Sequence, residues 1–555
     1  MFEDLDLNSI HEENARELVQ RLLNLVEQLS ADLQNSQAEN QRLRDEVNRL
    51  KGEQGKPNIK GNTPKPPEGD HSSEKERHKS RPRHKRSKKA EIAIDREQVL
   101  EVDPSVLPAD AEFKGDEDVV VQDILLHSDN ILFHKQKYYS GSTRQTYLAA
   151  LPCGYEGQFG PGIKALSLAM YFGMGTSEPK ILEFYENVGI EISDGELSNL
   201  LIKDQDAFHA ESAAVYEAGL RSSPWQHIDD TETRVNGQTG HCHVVCNPVY
   251  TSYHTRPRKD RLTVLDVLRQ ERPRSFRLNE EALGYLEQVP LSKAAQQVLP
   301  TWCSEADLDE PTFLEKLDTA LPDLNTQQHK AIVDAAAVVA YHAEQGVPVV
   351  DTLVCDEAAQ FNWLTRATML CWVHDGRAYT KLMPVIALHR QQLEAFLKRF
   401  WEYYDQLLTY CQEPRPEEAT RLNAEFDALF VPQNGYIELD QRIAKTCAKK
   451  ASRLSVLEHP ELPLHNNPAE LGSRQRVRKR DVSFGPRTQD EVGAWDTFMT
   501  LAETAKKLGL SFYAYLQDRI SGTNQILPMA TLVEQRAREL KLGWSWSAPD
   551  PSPNY

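Results

Sequence analysis

Three carboxylates stand out for the chemistry they could share: Asp229 in HIDDTETRV, Asp356 in TLVCDEAAQF and Glu470 in HNNPAELGSR. The first two close apolar, β-branched runs that read as strands, and the third lies near the start of an expected helix. Hard oxygen donors from three such acids can hold two Mg²⁺ ions roughly 3.5 to 4 Å apart, with Mn²⁺ as a substitute. That spacing clamps the attacking and leaving oxygens of a phosphodiester. Taken singly, each acid has a plain structural explanation. Asp229 and Asp356 fit polar strand ends, and Asn467, Pro468 and Glu470 spell a helix start without any metal. The case for a metal site is their order together with the phrases around them.

Those phrases resemble the insertion sequence 66 family of DDE transposases over roughly residues 160 to 522. The family's D-E-T-x-x-R-V stretch stands here as Asp229-Asp230-Thr231-Glu232-Thr233-Arg234-Val235, which makes Asp229 rather than Asp230 the expected ligand. Its second acid ends a strand, here Val349 to Asp356, and precedes a further strand and a C-W-x-H-x-x-R motif, present as Cys371, Trp372, His374 and Arg377. Its third acid lies in N-N-x-A-E, here Asn466, Asn467, Ala469 and Glu470, ahead of Arg474 and a basic run through Arg478, Lys479 and Arg480. The resemblance implies an α/β, ribonuclease H-like catalytic domain with Asp229, Asp356 and Glu470 as catalytic metal ligands. It further implies DNA contacts from Asn467, His374, Arg377, Arg474, Arg478, Lys479 and Arg480. The chain departs from the family where Gly376 replaces the first of two arginines, where Leu471 follows the glutamate and where His465 precedes the asparagines. Each departure removes a possible phosphate contact.

The elements that would carry these residues can be laid out along the chain. With 555 residues and 40% hydrophobic composition, three or four domains are expected. Net charge is −19, from 64 basic and 83 acidic residues, so nonspecific coating of nucleic acid is excluded and DNA affinity must come from local basic clusters. The 8 cysteines form no C-x-x-C pair, so neither a zinc ribbon nor a disulfide framework is signalled. Where the resemblance would place a zinc ribbon, only Cys153 remains. No secretory signal opens the sequence and no apolar run has the roughly 20 residues of a membrane span, so a prokaryotic cytoplasmic, nucleoid-associated location and no membrane partner are expected.

Residues 1–52 carry a heptad repeat, with Val19, Val26, Leu33, Asn40 and Val47 at a and Leu22, Leu29, Ser36, Leu43 and Leu50 at d. β-Branched a with leucine d favours a parallel two-stranded coil, and hence a homodimer. Residues 53–92 read as a basic disordered linker ending in KERHKSRPRHKRSKK. Residues 93–158 read as a small β-rich module. Residues 159–224 are helical and helix-turn-helix-like, with Ser193 and Glu196 as a capping box, although the second helix carries acids where a groove reader needs bases. The catalytic domain is expected over 225–522 with helical insertions near 271–345 and 384–462, the last helix running from Asp490 to about Leu516. Residues 523–555 read as a tail.

The expected function is a dimeric transposase that cleaves mobile-element ends and joins them to target DNA, with possible accessory element proteins. The alternative is a domesticated, noncatalytic DNA-binding or scaffold protein that keeps the coil and the fold.

Overall fold

The computed structural model describes residue 10 and residues 12–50, 93–108, 111–112, 115–124, 126–304 and 306–543. The expected basic linker and the end of the chain fall outside them. The described residues form a mixed α/β protein around one central five-stranded sheet, preceded by a long helix, α1 (Glu13–Leu50).

The sheet is built from β1 (Trp225–Val235), β2 (Gln238–Asn247), β3 (Tyr250–Arg256), β4 (Thr352–Cys355) and β5 (Ala367–Leu370), in the spatial order β3-β2-β1-β4-β5. The first three form an antiparallel meander, its first turn made by Asn236 and Gly237, both at positive φ. β4 and β5 run parallel to β1. The short strands β4 and β5 are near-continuous apolar runs because helices cover both faces.

Two hydrophobic cores organise the rest. One fuses the sheet with the helices of residues 161–221, the helices inserted between β3 and β4, and the C-terminal helices from Gln489 onward. The helix-turn-helix-like region is therefore part of the same core as the sheet. Within it, helix Glu178–Asn187, Gly189 at φ +74° and a helix from Asp194 capped by the Ser193 hydroxyl form as the sequence indicates. The second core lies in the other insertion, where Trp372 is ringed by Phe400, Tyr403, Phe426 and Phe430.

Several boundaries differ from the sequence expectation. Between 93 and 148 the described residues hold one hairpin (Lys137–Ser140 with Gln145–Leu148) and one short 3₁₀ turn rather than a β-rich module, and Val99, Leu100, Val121 and Leu132 stay exposed. A lone two-stranded hairpin has no second layer on which to bury such residues. The helix expected to reach Leu516 divides into Gln489–Leu508 and Phe512–Ile520, because Gly509 takes φ +73° and Ser511 caps the second piece. The expected tail contains a helix, Met529–Leu540, which packs on helix Asp206–Arg221.

α1 docks onto the second insertion through the face that carries Leu23, Asn24 and Glu27, with the a-position residues Val19 and Val26 half-buried at its border. Leu23 and Glu27 are buried, with Glu27 only 5% exposed. The Glu27 carboxylate accepts the Val385 and Ile386 N–H groups at 2.9 and 2.7 Å, and so caps α2 (Ala387–Gln412), whose own N-cap residue offers no side chain. Asn24 does the same one turn earlier, accepting the Ile437 N–H and donating to the Gly435 carbonyl. Leu22, Leu29, Leu33, Leu43 and Val47 of the seam remain exposed.

Candidate active site

β1 and β4 pair in parallel with Trp225 opposite Thr352 and His227 opposite Val354. Continuing that register past the last paired residues brings Asp229 level with Asp356, which follows β4 directly. The third acid arrives on α3 (Asn467–Ser483), which lies against β1 and β2. Its approach depends on Gly472, where an added Cβ would meet Val244 Cγ1 at 2.7 Å. The start of the helix is pinned by Asn466, whose amide donates to the Ile228 carbonyl at 2.7 Å and whose oxygen meets His227 Nδ1 at 3.0 Å. Asn466, rather than Asn467, is the N-cap residue, and no side chain caps the helix. The second asparagine is instead buried in the first turn, its Oδ1 lacking a hydrogen bond.

Among the three acids, Asp229 feels the cluster most directly. Asp229 is pushed up to about 7, first by burial and then by the charges of Asp356, Asp230 and Glu470, against a lowering hydrogen bond from Ser473. Neighbouring Asp230 is already engaged, with Gln360 Nε2 at 2.6 Å and Lys259 Nζ at 3.5 Å. This fits Asp229 as the member of the pair left for a ligand. Asp356 Oδ1 accepts the Ala358 N–H at 2.9 Å. Arg377 Nη1 lies 3.2 Å from Glu470 Oε2, and His374 Nδ1 lies 3.5 Å from Glu470 Oε1.

The basic residues after Glu470 do not share a face. At about 100° per residue a consecutive run must wrap around the helix. Arg478 is exposed, Arg474 half-buried, and Arg480 half-buried with its guanidinium on the Glu232 carbonyl. Lys479 contradicts the expected phosphate contact. It is 3% exposed, its Nζ lies 2.9 Å from the Tyr171 ring centroid and 3.1 Å from Ser483 Oγ, and burial lowers its pKa to about 6.

Behind the acids lies a second, paired charge cluster that sequence inspection did not resolve. Asp375, with no exposed side-chain surface, binds Arg442 and lies 3.2 Å from Arg453. Glu357, the residue after Asp356, binds both arginines and lies 3.5 Å from Lys449. Gly376 is explained nearby: a Cβ there would sit 2.4 Å from Trp401, so the arginine usual in the resembled motif has no room.

No protein-family model matches the chain. The chain is 33% identical over 321 residues to the uncharacterized protein y4jO of Sinorhizobium fredii (strain NBRC 101917 / NGR234), a match covering 58% of this chain and 99% of that protein. It belongs to the same family as that protein. No helix among the described residues is long and apolar enough to cross a membrane.

Proposed function

We propose that the protein is a DDE-type transposase of ribonuclease H-like fold, which cuts mobile-element ends and joins them to target DNA. The observation that carries this is the convergence of Asp229, Asp356 and Glu470, from two adjacent parallel strands and a helix start, with Asp229 raised by burial and by its two partners. The strand order β3-β2-β1-β4-β5, antiparallel then parallel, agrees with that fold.

The residues fit a divalent pair: three carboxylates crowd together and the buried Asn467 Oδ1 makes no hydrogen bond. Mg²⁺ or Mn²⁺ held there would activate water or a 3′-hydroxyl and neutralise the charge on the departing oxygen. Asp229 must lose its proton to serve as a ligand, which favours activity above pH 7. Arg377 neutralises Glu470 and must give way, or turn to a phosphate, when an ion binds. Arg478 and Arg474 remain to hold the DNA backbone, and the exposed seam of α1 serves pairing with a second copy.

A noncatalytic scaffold is the second reading, favoured by Arg377 on Glu470 and by the loss of Lys479 as a contact. The test is cleavage of duplex DNA carrying the element's own ends, with Mg²⁺ or Mn²⁺. Wild type cuts, and Asp356→Asn binds the ends without cutting. Binding without cleavage by wild type would establish the scaffold instead.

A further inference from the structure

Cys371 and His374 belong to the phrase that links β5 to α4 (Trp372–Thr380), and together with Glu470 they form a donor set that shares only Glu470 with the acid cluster. Cys371 Sγ, a ring nitrogen of His374 and a carboxylate oxygen of Glu470 lie within 4.8 Å of one another. His374 Nδ1 and Glu470 Oε1 are both shielded from solvent, face each other at 3.5 Å and make no hydrogen bond. Two inward-facing polar atoms without a donor or acceptor are costly unless something lies between them. Cys371 is 1% exposed at the N-cap position of α4, and burial pushes its thiol up to about 11 without an ion, so a metal must displace the proton. Its sulfur accepts the Asn466 N–H at 3.2 Å and also the His374 N–H. Backbone N–H groups aimed at sulfur are the kind of outer-shell support that orients a metal-bound thiolate.

We propose that Cys371, His374 and Glu470 bind one Zn²⁺ ion through Sγ, Nδ1 and Oε1. Donors at ~2.0–2.3 Å from zinc lie roughly 3.3–3.8 Å from one another; the nitrogen-to-oxygen edge is already 3.5 Å, and the sulfur, within 4.8 Å of both partners, is close enough to draw in on binding. A thiolate and an imidazole select zinc or cobalt over magnesium. Binding replaces the S–H bond by an S–Zn bond and gives the thiol proton to solvent. Three protein donors leave a fourth position for water or a substrate oxygen. The ion would fix Glu470 through Oε1 against the β5–α4 junction and leave Oε2, once Arg377 gives way, for the acid cluster. The site does not rest on phosphoryl transfer, although it shares Glu470 with the proposed magnesium cluster.

The test is titration of the metal-free full-length protein with Co²⁺, followed by optical absorption and by metal analysis after exchange to Zn²⁺. The expected result is one equivalent per chain and an intense sulfur-to-cobalt charge-transfer band. Both should be lost in Cys371→Ser and in His374→Gln. The histidine variant alters a side chain 32% exposed, and so provides a readout if the buried serine disturbs folding. Absence of the band, or a band that persists in Cys371→Ser because the exposed Cys153, Cys303 or Cys447 supplies the sulfur, overturns the proposal. Asp229→Asn should leave the cobalt spectrum unchanged while removing any Mg²⁺-dependent cleavage, so failure of one site is distinguishable from failure of the other.

Discussion

Asp356 and Glu357 are adjacent in sequence and belong to opposite kinds of charge cluster. Asp356 joins Asp229 and Glu470, three acids whose mutual repulsion is opposed by little beyond Arg377 and Ser473. Glu357 joins Asp375 among Arg442, Arg453 and Lys449. Burial alone would raise Glu357, yet the three cations outweigh it and hold its carboxyl below the usual range. Buried carboxylates that are compensated serve the fold, whereas those left uncompensated at a sheet edge are suited to binding a cation. The paired cluster ties the end of β4, α4 and helix Ile437–Cys447 together, and so fixes the backbone next to Asp356.

Breaking the paired cluster should have the largest effect on stability. Asp375→Asn leaves Arg453, which has no exposed side-chain surface, short of a counter-charge, and a loss of about 3–5 kcal/mol is expected by denaturant unfolding. A variant as stable as wild type would show that Glu357 alone suffices.

The next effect concerns α1. Glu27→Ala removes the cap on α2, which should cost about 2 kcal/mol and increase amide exchange in Glu13–Leu50 and at Val385 and Ile386. Leu22, Leu29, Leu33, Leu43 and Val47 of the seam lie outside this contact, so the mass in light scattering should stay that of a dimer. Removing residues 1 to 52 should instead yield a monomer. Unchanged exchange in Glu27→Ala would mean that Leu23 and Asn24 carry the docking.

The smallest shift reverses sign. Asp229 titrates near 7 in the folded protein against 3.8 when free. Between those values the native state holds the extra proton, and stability is lost as pH rises through about 7. Asp229→Asn should therefore be more stable than wild type at pH 8 without metal, and equal to it below pH 4. A destabilised variant at pH 8 would mean that the carboxylate is compensated after all.

The elements that carry the three acids were legible in the sequence, since the strand, strand, helix order could be read from apolar runs and the Asn-Asn-Pro helix start. The capping box at Ser193 and the turn at Gly189 were legible for the same reason, being local chemistry. The fate of Arg474 to Arg480 was not. Whether a lysine in a helix faces solvent depends on what packs beside it, and Tyr171 and Trp495, which enclose Lys479, lie at distant points of the chain. The paired cluster was hidden likewise, since Asp375 and Arg442 come together only through the fold of the second insertion. α1 carried two messages in one repeat. Its a and d positions were evident, but Leu23, Asn24 and Glu27 on the other side have no periodic signature to mark them as a docking surface.

The most direct test of the account is calorimetric titration of Mg²⁺ or Mn²⁺ into wild type, Asp229→Asn, Asp356→Asn and Glu470→Gln at pH 8. Wild type should bind the divalent ion and gain thermal stability with its concentration. Each of the three substitutions should abolish or sharply weaken that binding, while Asp230→Asn should leave it largely intact. Equal binding by wild type and all three variants would contradict a shared metal site at Asp229, Asp356 and Glu470.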